Sequence, residues 1–408
     1  MKCRICDSDI KKYFLSLGNS PLSNSYLKKE ELNKMEPYYP LDLFFCEKCF
    51  LVQLDEFEKA RNIFSDEYAY FSSYSESWLS HCEKYTKMMI DRFGYSSDSF
   101  VIEIASNDGY LLQYFKKNGV PVLGIEPTAN TARVAIEKGI ETDMVFFDTA
   151  YAKKLKSDGR MADLIIGNNV IAHNPKLNDF VNGLKYALKP AGIITMEFPH
   201  LMNLIKNNQF DTIYHEHFSY FSLHTIKILF EKFGLTVFDV DEIPTHGGSL
   251  RIYAKHAECT VLKISNNVET LLEKEKSAGL LAKKTFIDYS EKVRSTKRNI
   301  LKFLIKAKED GKKIVGYGAP AKGNTLLNYC GIGMDFIEYT VDRSPHKQNR
   351  FLPGTHIPVK EPDEIIKDRP DYILILPWNI KSEIIAQMSC IREWGGKFIV
   401  PIPQIDIL

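Results

Sequence analysis

Residues Val101 to Leu112 read Val-Ile-Glu-Ile-Ala-Ser-Asn-Asp-Gly-Tyr-Leu-Leu: an apolar run, five small or polar residues, and a second apolar start. Val101 to Ile104 suits a buried strand. Tyr110 to Leu112 opens a face that continues to Tyr114 and Phe115 at helical spacing. Strand, tight loop and helix in that order form the first unit of a nucleotide-binding α/β domain, where small residues admit a ligand to the backbone and a helix start offers unpaired amides. A second strand is expected over Val120 to Ile125, and Glu126 follows it, 23 residues beyond Glu103. A carboxylate about 20 residues on suits a ribose with both hydroxyls free.

The loop departs from Gly-x-Gly-x-x-Gly, because Ala105 and Asn107 occupy the first glycine places and only Gly109 remains. A pyrophosphate needs bare amides there, and the side chains of Ser106, Asn107 and Asp108 would crowd it and repel its charge. The expected ligand has no phosphate. S-adenosylmethionine fits, with its sulfonium and amino group facing Glu103 and Asp108 and its ribose on Glu126. An ordinary strand-to-helix turn capped by Asn or Asp is the competing reading.

The totals narrow the class. A chain of 408 residues exceeds one usual core and suggests about two to three domains. Lys plus Arg is 53 against 52 for Asp plus Glu, so no bulk field draws it to nucleic acid or membrane. Mean hydropathy is -0.22, and no apolar run approaches the roughly 18 residues of a transmembrane helix. Met1 to Asp9 lacks the apolar core of a secretion signal, and a cytoplasmic location is expected.

Four of the eight cysteines are paired as Cys3-x-x-Cys6 and Cys46-x-x-Cys49. Two such knuckles complete a tetrahedral zinc site with no open position, which makes it structural. Disulfides are the alternative, disfavoured in a reducing compartment. Cys82, Cys259, Cys330 and Cys390 are scattered and read as ordinary thiols.

Residues 1–75 are expected to form a zinc module ending in an aromatic stretch, Phe64 to Ser75. There Tyr68 and Tyr70 are candidates for touching a substrate, with a packed helix start as the alternative. Residues 76–260 alternate helix and strand. A helix over Ser77 to Phe93 leads in. Helix Thr131 to Lys138, a short strand Asp143 to Phe147, strand Ala162 to Gly167 ending in Asn168 and Asn169, and helix Asn178 to Leu188 follow. Lys189 to Gly192 is expected as a turn before strand Ile193 to Phe198. Helix Leu223 to Phe233 and two last strands, Leu235 to Val240 and Ser249 to Lys255, complete a doubly wound sheet. His173 lies just past a strand's C-terminal end, where such sheets bind ligands.

Between the fifth strand and the next helix, Asp211 to Ser222 reads Asp-Thr-Ile-Tyr-His-Glu-His-Phe-Ser-Tyr-Phe-Ser. Tyr214, His215, Glu216, His217 and Tyr220 give proton-transfer groups working near neutral pH. Metal binding and a plain polar loop capped by Ser222 remain alternatives. Residues 261–312 carry a leucine stripe of one or two linking helices. Residues 313–408 open with Ile314 to Asn328, another strand, glycine loop and helix. There Gly316, Gly318 and Gly323 keep the backbone bare and Lys322 adds a positive charge, an arrangement that receives phosphates.

With these residues together, the chain resembles the S-adenosylmethionine-dependent C-methyltransferases that act on nucleotide-linked 4-keto deoxysugars. The resemblance rests on the two Cys-x-x-Cys pairs, Glu103 to Gly109, Asp211 to Ser222 and Gly316 to Asn328, in that order over the whole chain. It implies an N-terminal zinc-binding module, a central Rossmann-like class I methyltransferase domain and a C-terminal Rossmann-like α/β domain, in a monomer. It also implies methylation at sugar carbon 3 through an enolate, with His217 as base, Tyr214 and Glu216 beside it, and His173 steadying the oxyanion or relaying the proton. Gly318, Lys322 and Asn324 would then hold the nucleotide sugar. A small-molecule O- or N-methyltransferase and a noncatalytic nucleotide-binding scaffold are the other classes this sequence admits.

Overall fold

The computed structural model describes residues 1–59 and 71–408, arranged around three sheets. Tyr68 and Tyr70 lie outside the described residues. The N-terminal sheet holds β1 (Tyr13–Ser20), β2 (Tyr39–Phe45) and β3 (Val52–Gln53). Leu41, Leu43 and Phe45 of β2 alternate inward, as a half-buried strand requires. Helix α1 (Glu76–Phe93) follows. The Ser75 side chain accepts from Trp78 N at its start, and Gly94 ends it at φ 73°.

The central sheet is built from β4 (Val101–Ile104), α2 (Leu112–Lys117), β5 (Val122–Ile125), α3 (Ala129–Glu137), β6 (Thr142–Asp143), α4 (Thr149–Ser157), β7 (Ala162–Asn168), α5 (Leu177–Ala187) and β8 (Leu188–Pro199). After α6 (Leu201–Lys206) the chain leaves this sheet. Strand β9 (Ser219–Tyr220) pairs with β3, adding a fourth strand to the N-terminal sheet. Helix α7 (Leu223–Glu231), β10 (Leu235–Ile243) and β11 (Ser249–His256) return to the centre. The order is β10-β11-β8-β7-β4-β5-β6, parallel except for β11, which runs antiparallel to both β8 and β10. Every residue of β4 is buried, as expected with helices on both faces.

Two expected boundaries are corrected. The strand expected over Asp143 to Phe147 is only Thr142–Asp143, because the chain bends away at the sheet edge. Lys189 to Gly192, expected as a turn, runs inside β8. Ala162 pairs with Leu188 and Leu164 with Ile193, so the extra β8 residues are taken up as a bulge.

Helices α8 (Asn266–Ser277) and α9 (Lys283–Glu309) precede the third sheet. That sheet contains β12 (Ile314–Tyr317), α10 (Ala321–Cys330), β13 (Thr340–Val341), β14 (Val359–Lys360), α11 (Asp363–Asp368), β15 (Tyr372–Ile375), α12 (Lys381–Gln387), β16 (Lys397–Val400) and β17 (Asp406–Ile407). Its order is β14-β13-β12-β15-β16-β17, with only the β16–β17 pair antiparallel. The stripe of α9 is part of a continuous core: Phe286, Val293 and Ile300 belong to one apolar cluster with Leu15 and Leu43 and with Ile314 and Ile373. Among the described residues no helix is long and apolar enough to cross a membrane.

Candidate active site

At the end of β4 the chain takes three left-handed residues in alternation, Ala105 at φ 57°, Asn107 at 49° and Gly109 at 76°. The loop therefore turns as tightly as a glycine loop while keeping its side chains. Only Gly109 has no room for more, since a Cβ there would meet Ile140 Cδ1 at 2.4 Å. Glu126 Oε2 accepts from Asn107 N at 2.9 Å and its Oε1 from Thr128 N at 2.8 Å, so the second acidic residue holds the loop in shape. Residues 72 and 73 lie over it: Ser72 N donates to Asn107 Oδ1, and Ser73 N to Asp108 Oδ2.

Both carboxylate oxygens of Glu103, one of Asp108 and both side-chain polar atoms of Asn168 are buried without a partner of good geometry. Burial pushes Glu103 well above the usual carboxylate range, only partly offset by the Tyr110 hydroxyl, and the Asp108, Glu126 and Glu197 charges push it further. The Glu103 and Asp108 oxygens are buried acceptors left open for a donor, as a cationic ligand would supply. The residue set fits the sulfonium and ammonium of S-adenosylmethionine.

Beyond this pocket, ring contacts run outward. Trp78 lies 6.0 Å from Tyr110 and 5.3 Å from His246, and the Asn169 amide meets His246 Nε2 at 3.1 Å. On the far side stands the segment before β9. His217 Nδ1 donates to the Thr212 carbonyl at 2.9 Å, which fixes the tautomer and leaves Nε2 to accept from the Tyr214 hydroxyl at 2.9 Å. His173 packs edge-on to His217, with centroids 4.7 Å apart. Burial holds His217 well below the ordinary histidine range, helped by the neighbouring His173, and burial lowers His173 to about 4. Both rings are neutral at physiological pH, so Nε2 keeps a lone pair.

Glu216 turns the other way and accepts from Asn24 Nδ2 at 2.6 Å. His215 is structural, its Nε2 donating to the Pro40 carbonyl. Ser222 does cap α7, accepting from Thr225 N. The third sheet holds the start of this segment. Thr325 of α10 donates to the Ile213 carbonyl, and Trp378 Nε1 donates to Asp211 Oδ2 at 2.6 Å. Gly318 is left-handed at φ 89° against Pro377. Asn324 Nδ2 is committed to the Ser23 carbonyl, while its buried Oδ1 has no partner. Asn24, Asp211, His246 and Trp378 escaped the sequence reading of roles. Asp211 alone lay inside a motif that could have signalled it.

The N-terminal cysteines meet as expected. Their four Sγ atoms lie within 4.8 Å of one another, with Cys3–Cys49 at 3.3 Å and Cys6–Cys46 at 3.5 Å. Zinc–sulfur bonds of about 2.3 Å imply sulfurs roughly 3.8 Å apart around one ion, so the set fits structural zinc.

Three family models match in chain order: a proposed zinc binding domain over residues 3–64, a methyltransferase domain over 81–240 and a C-methyltransferase C-terminal domain over 244–403. The chain is also 36% identical over 410 residues to the C-methyltransferase NovU of Streptomyces niveus, covering 100% of this chain and 96% of that protein. The chain belongs to the C-methyltransferase family. It is an S-adenosylmethionine-dependent enzyme with a zinc-binding N-terminal domain. Solved structures of methyltransferases resemble about half of the chain loosely. An S-adenosylmethionine-dependent methyltransferase of Anabaena variabilis matches at 15% identity and TM-score 0.39, covering 50% of this chain and 99% of its own. The magnesium protoporphyrin IX methyltransferase of Synechocystis matches at 13% identity and TM-score 0.33, covering 43% and 78%. At these scores they add nothing to the assignment.

Proposed function

We propose that this C-methyltransferase moves a methyl group from S-adenosylmethionine to carbon 3 of a nucleotide-linked 4-keto deoxysugar through an enolate, in the making of a branched-chain sugar. A carbon acceptor must first become a nucleophile, and a ketone at carbon 4 acidifies the proton at carbon 3. The observation that carries the reading is the neutral, buried His217, whose Nε2 faces the Tyr214 hydroxyl. His217 serves as the base, through or beside Tyr214, and His173 passes the proton on. Glu216 orients the segment through Asn24.

S-adenosylmethionine, when bound, supplies an electrophilic methyl on sulfur. Glu103 and Asp108 accept from its charged end, Glu126 takes the ribose hydroxyls, and Ala105, Ser106, Asn107, Gly109, Asn168 and Asn169 line it. The backbone around Gly318, with Asn324 and the Tyr68–Tyr70 stretch, receives the nucleotide sugar. The zinc module spans 1–75, the donor domain 76–260 and the nucleotide-sugar domain 313–408, joined by 261–312. The enzyme acts as a single chain in the cytoplasm, without nucleic acid or membrane.

Thymidine-, GDP- and CDP-linked 4-keto sugars are offered with donor carrying a ¹³C methyl, and the label is located by NMR. The reading expects a methyl on the carbon next to the ketone. A methyl on oxygen or nitrogen, or on none of the sugars, would overturn it.

A further inference from the structure

Lys322 stands on the first turn of α10, where sequence alone gives it to a phosphate. Its immediate neighbours are an amide and an indole. The Nζ donates to Asn379 Oδ1 at 2.9 Å and lies 4.5 Å from the Trp378 ring centroid. Both neighbours are neutral, and no ion pair within 4.0 Å involves Lys322 among the described residues. An ammonium has three donors, so two are left for a ligand.

The same indole reaches into the catalytic segment through Asp211 Oδ2. Asp211 is fully buried, its Oδ1 has no partner, and burial pushes it up to about 6 despite the Lys322 charge. The Lys322 charge also bears on His217 and on His246, lowering both. The ammonium is thus joined to Asp211 through the Trp378 indole, and its charge bears on His217 and His246.

We propose that Lys322 donates to the carbonyl oxygen at carbon 4 of the bound sugar and neutralises the enolate, rather than holding the diphosphate. This rests on the enolate reading above. As the C3–H bond breaks, the proton passes to the Tyr214–His217 couple, the bonding pair forms the C3–C4 double bond, and the carbonyl π pair moves onto the oxygen beside Nζ. On methylation that pair returns to restore the ketone, the C3–C4 π pair forms the new C–CH₃ bond, and sulfur keeps the pair of the bond it loses. A donor aimed at a developing oxyanion is worth about 10² to 10³ in rate.

The test compares wild type with Lys322→Met and with Asn379→Asp, which gives the ammonium a carboxylate and draws it off the ketone. The second variant keeps the test decisive should the first unfold. Deuterium uptake at carbon 3 is followed in heavy water without methyl donor, alongside calorimetric binding of thymidine, guanosine and cytidine diphosphates. Uptake should fall about 10² to 10³ fold in Lys322→Met and at least tenfold in Asn379→Asp, with nucleoside diphosphate Kd within threefold of wild type. The acidic limb of the Lys322→Met rate profile should move to higher pH, since a positive charge near His217 is gone. A tenfold or greater loss of diphosphate affinity with uptake unchanged at saturating sugar would overturn the proposal. Wild type that methylates another acceptor yet takes up no deuterium from any 4-keto sugar would defeat the enolate reading itself, and this proposal with it.

Discussion

At the scale of single residues, burial biases the candidate site's ionisable groups towards their neutral forms. His173 and His246 are both lowered from 6.5 to about 4, chiefly by burial. Between those values the unfolded chain binds more protons than the folded one, so stability is full above about pH 6.5 and falls as pH drops towards 4. Asp211 and Glu103 are raised, and their contribution has the opposite sign, present at low pH and lost as pH rises. His246→Asn should therefore lose less melting temperature between pH 7 and 5 than wild type does, by thermal denaturation across that range. An unchanged slope would show that His246 is not held neutral. The residue types proposed for this chemistry were legible in the sequence: the fold brings His173 and Tyr214 against His217, and the Asp108 charge bears on Glu103. Their partners were not. That Thr212 offers the carbonyl fixing the His217 tautomer, or that Asn24 reaches Glu216 across 192 positions, depends on the fold and leaves no local pattern.

At the scale of elements, the doubly wound order was readable because hydrophobic period and turn residues agreed from β4 to β11. The bulge in β8 was missed, since Pro190 and Gly192 read as a turn whether or not strand pairing resumes around them. Strand β9 was also invisible: two residues, Ser219–Tyr220, are too few for any period and form only because β3 offers an edge. That pairing ties the zinc-binding domain to the segment that carries Tyr214 and His217. Strand β3 begins three residues after Cys49, and Arg4, between Cys3 and Cys6, donates to the carbonyls of Leu54 and Phe218. One zinc per chain is expected by elemental analysis. Removing it with a strong chelator should abolish methyl transfer while S-adenosylhomocysteine still binds, because its loop belongs to the central sheet. Full activity in the metal-free protein would refute this coupling.

At the scale of the whole molecule, three sheets each contribute something the others lack. The central sheet supplies buried acids suited to a cation, the segment joined to the N-terminal sheet supplies the Tyr214–His217 couple, and the third sheet supplies Lys322 and Trp378. Residues from the N-terminal sheet, α9 and the third sheet share one apolar core, so these parts of the chain pack together continuously. The central claim is that His217 takes the proton from the carbon next to a ketone. Its most direct test is deuterium wash-in at carbon 3 of the accepted 4-keto nucleotide sugar, by proton NMR without methyl donor, in wild type and His217→Ala. Wild type should exchange well above background, and the variant about 10² to 10⁴ fold more slowly with sugar affinity retained. Exchange by the variant at the wild-type rate would contradict it.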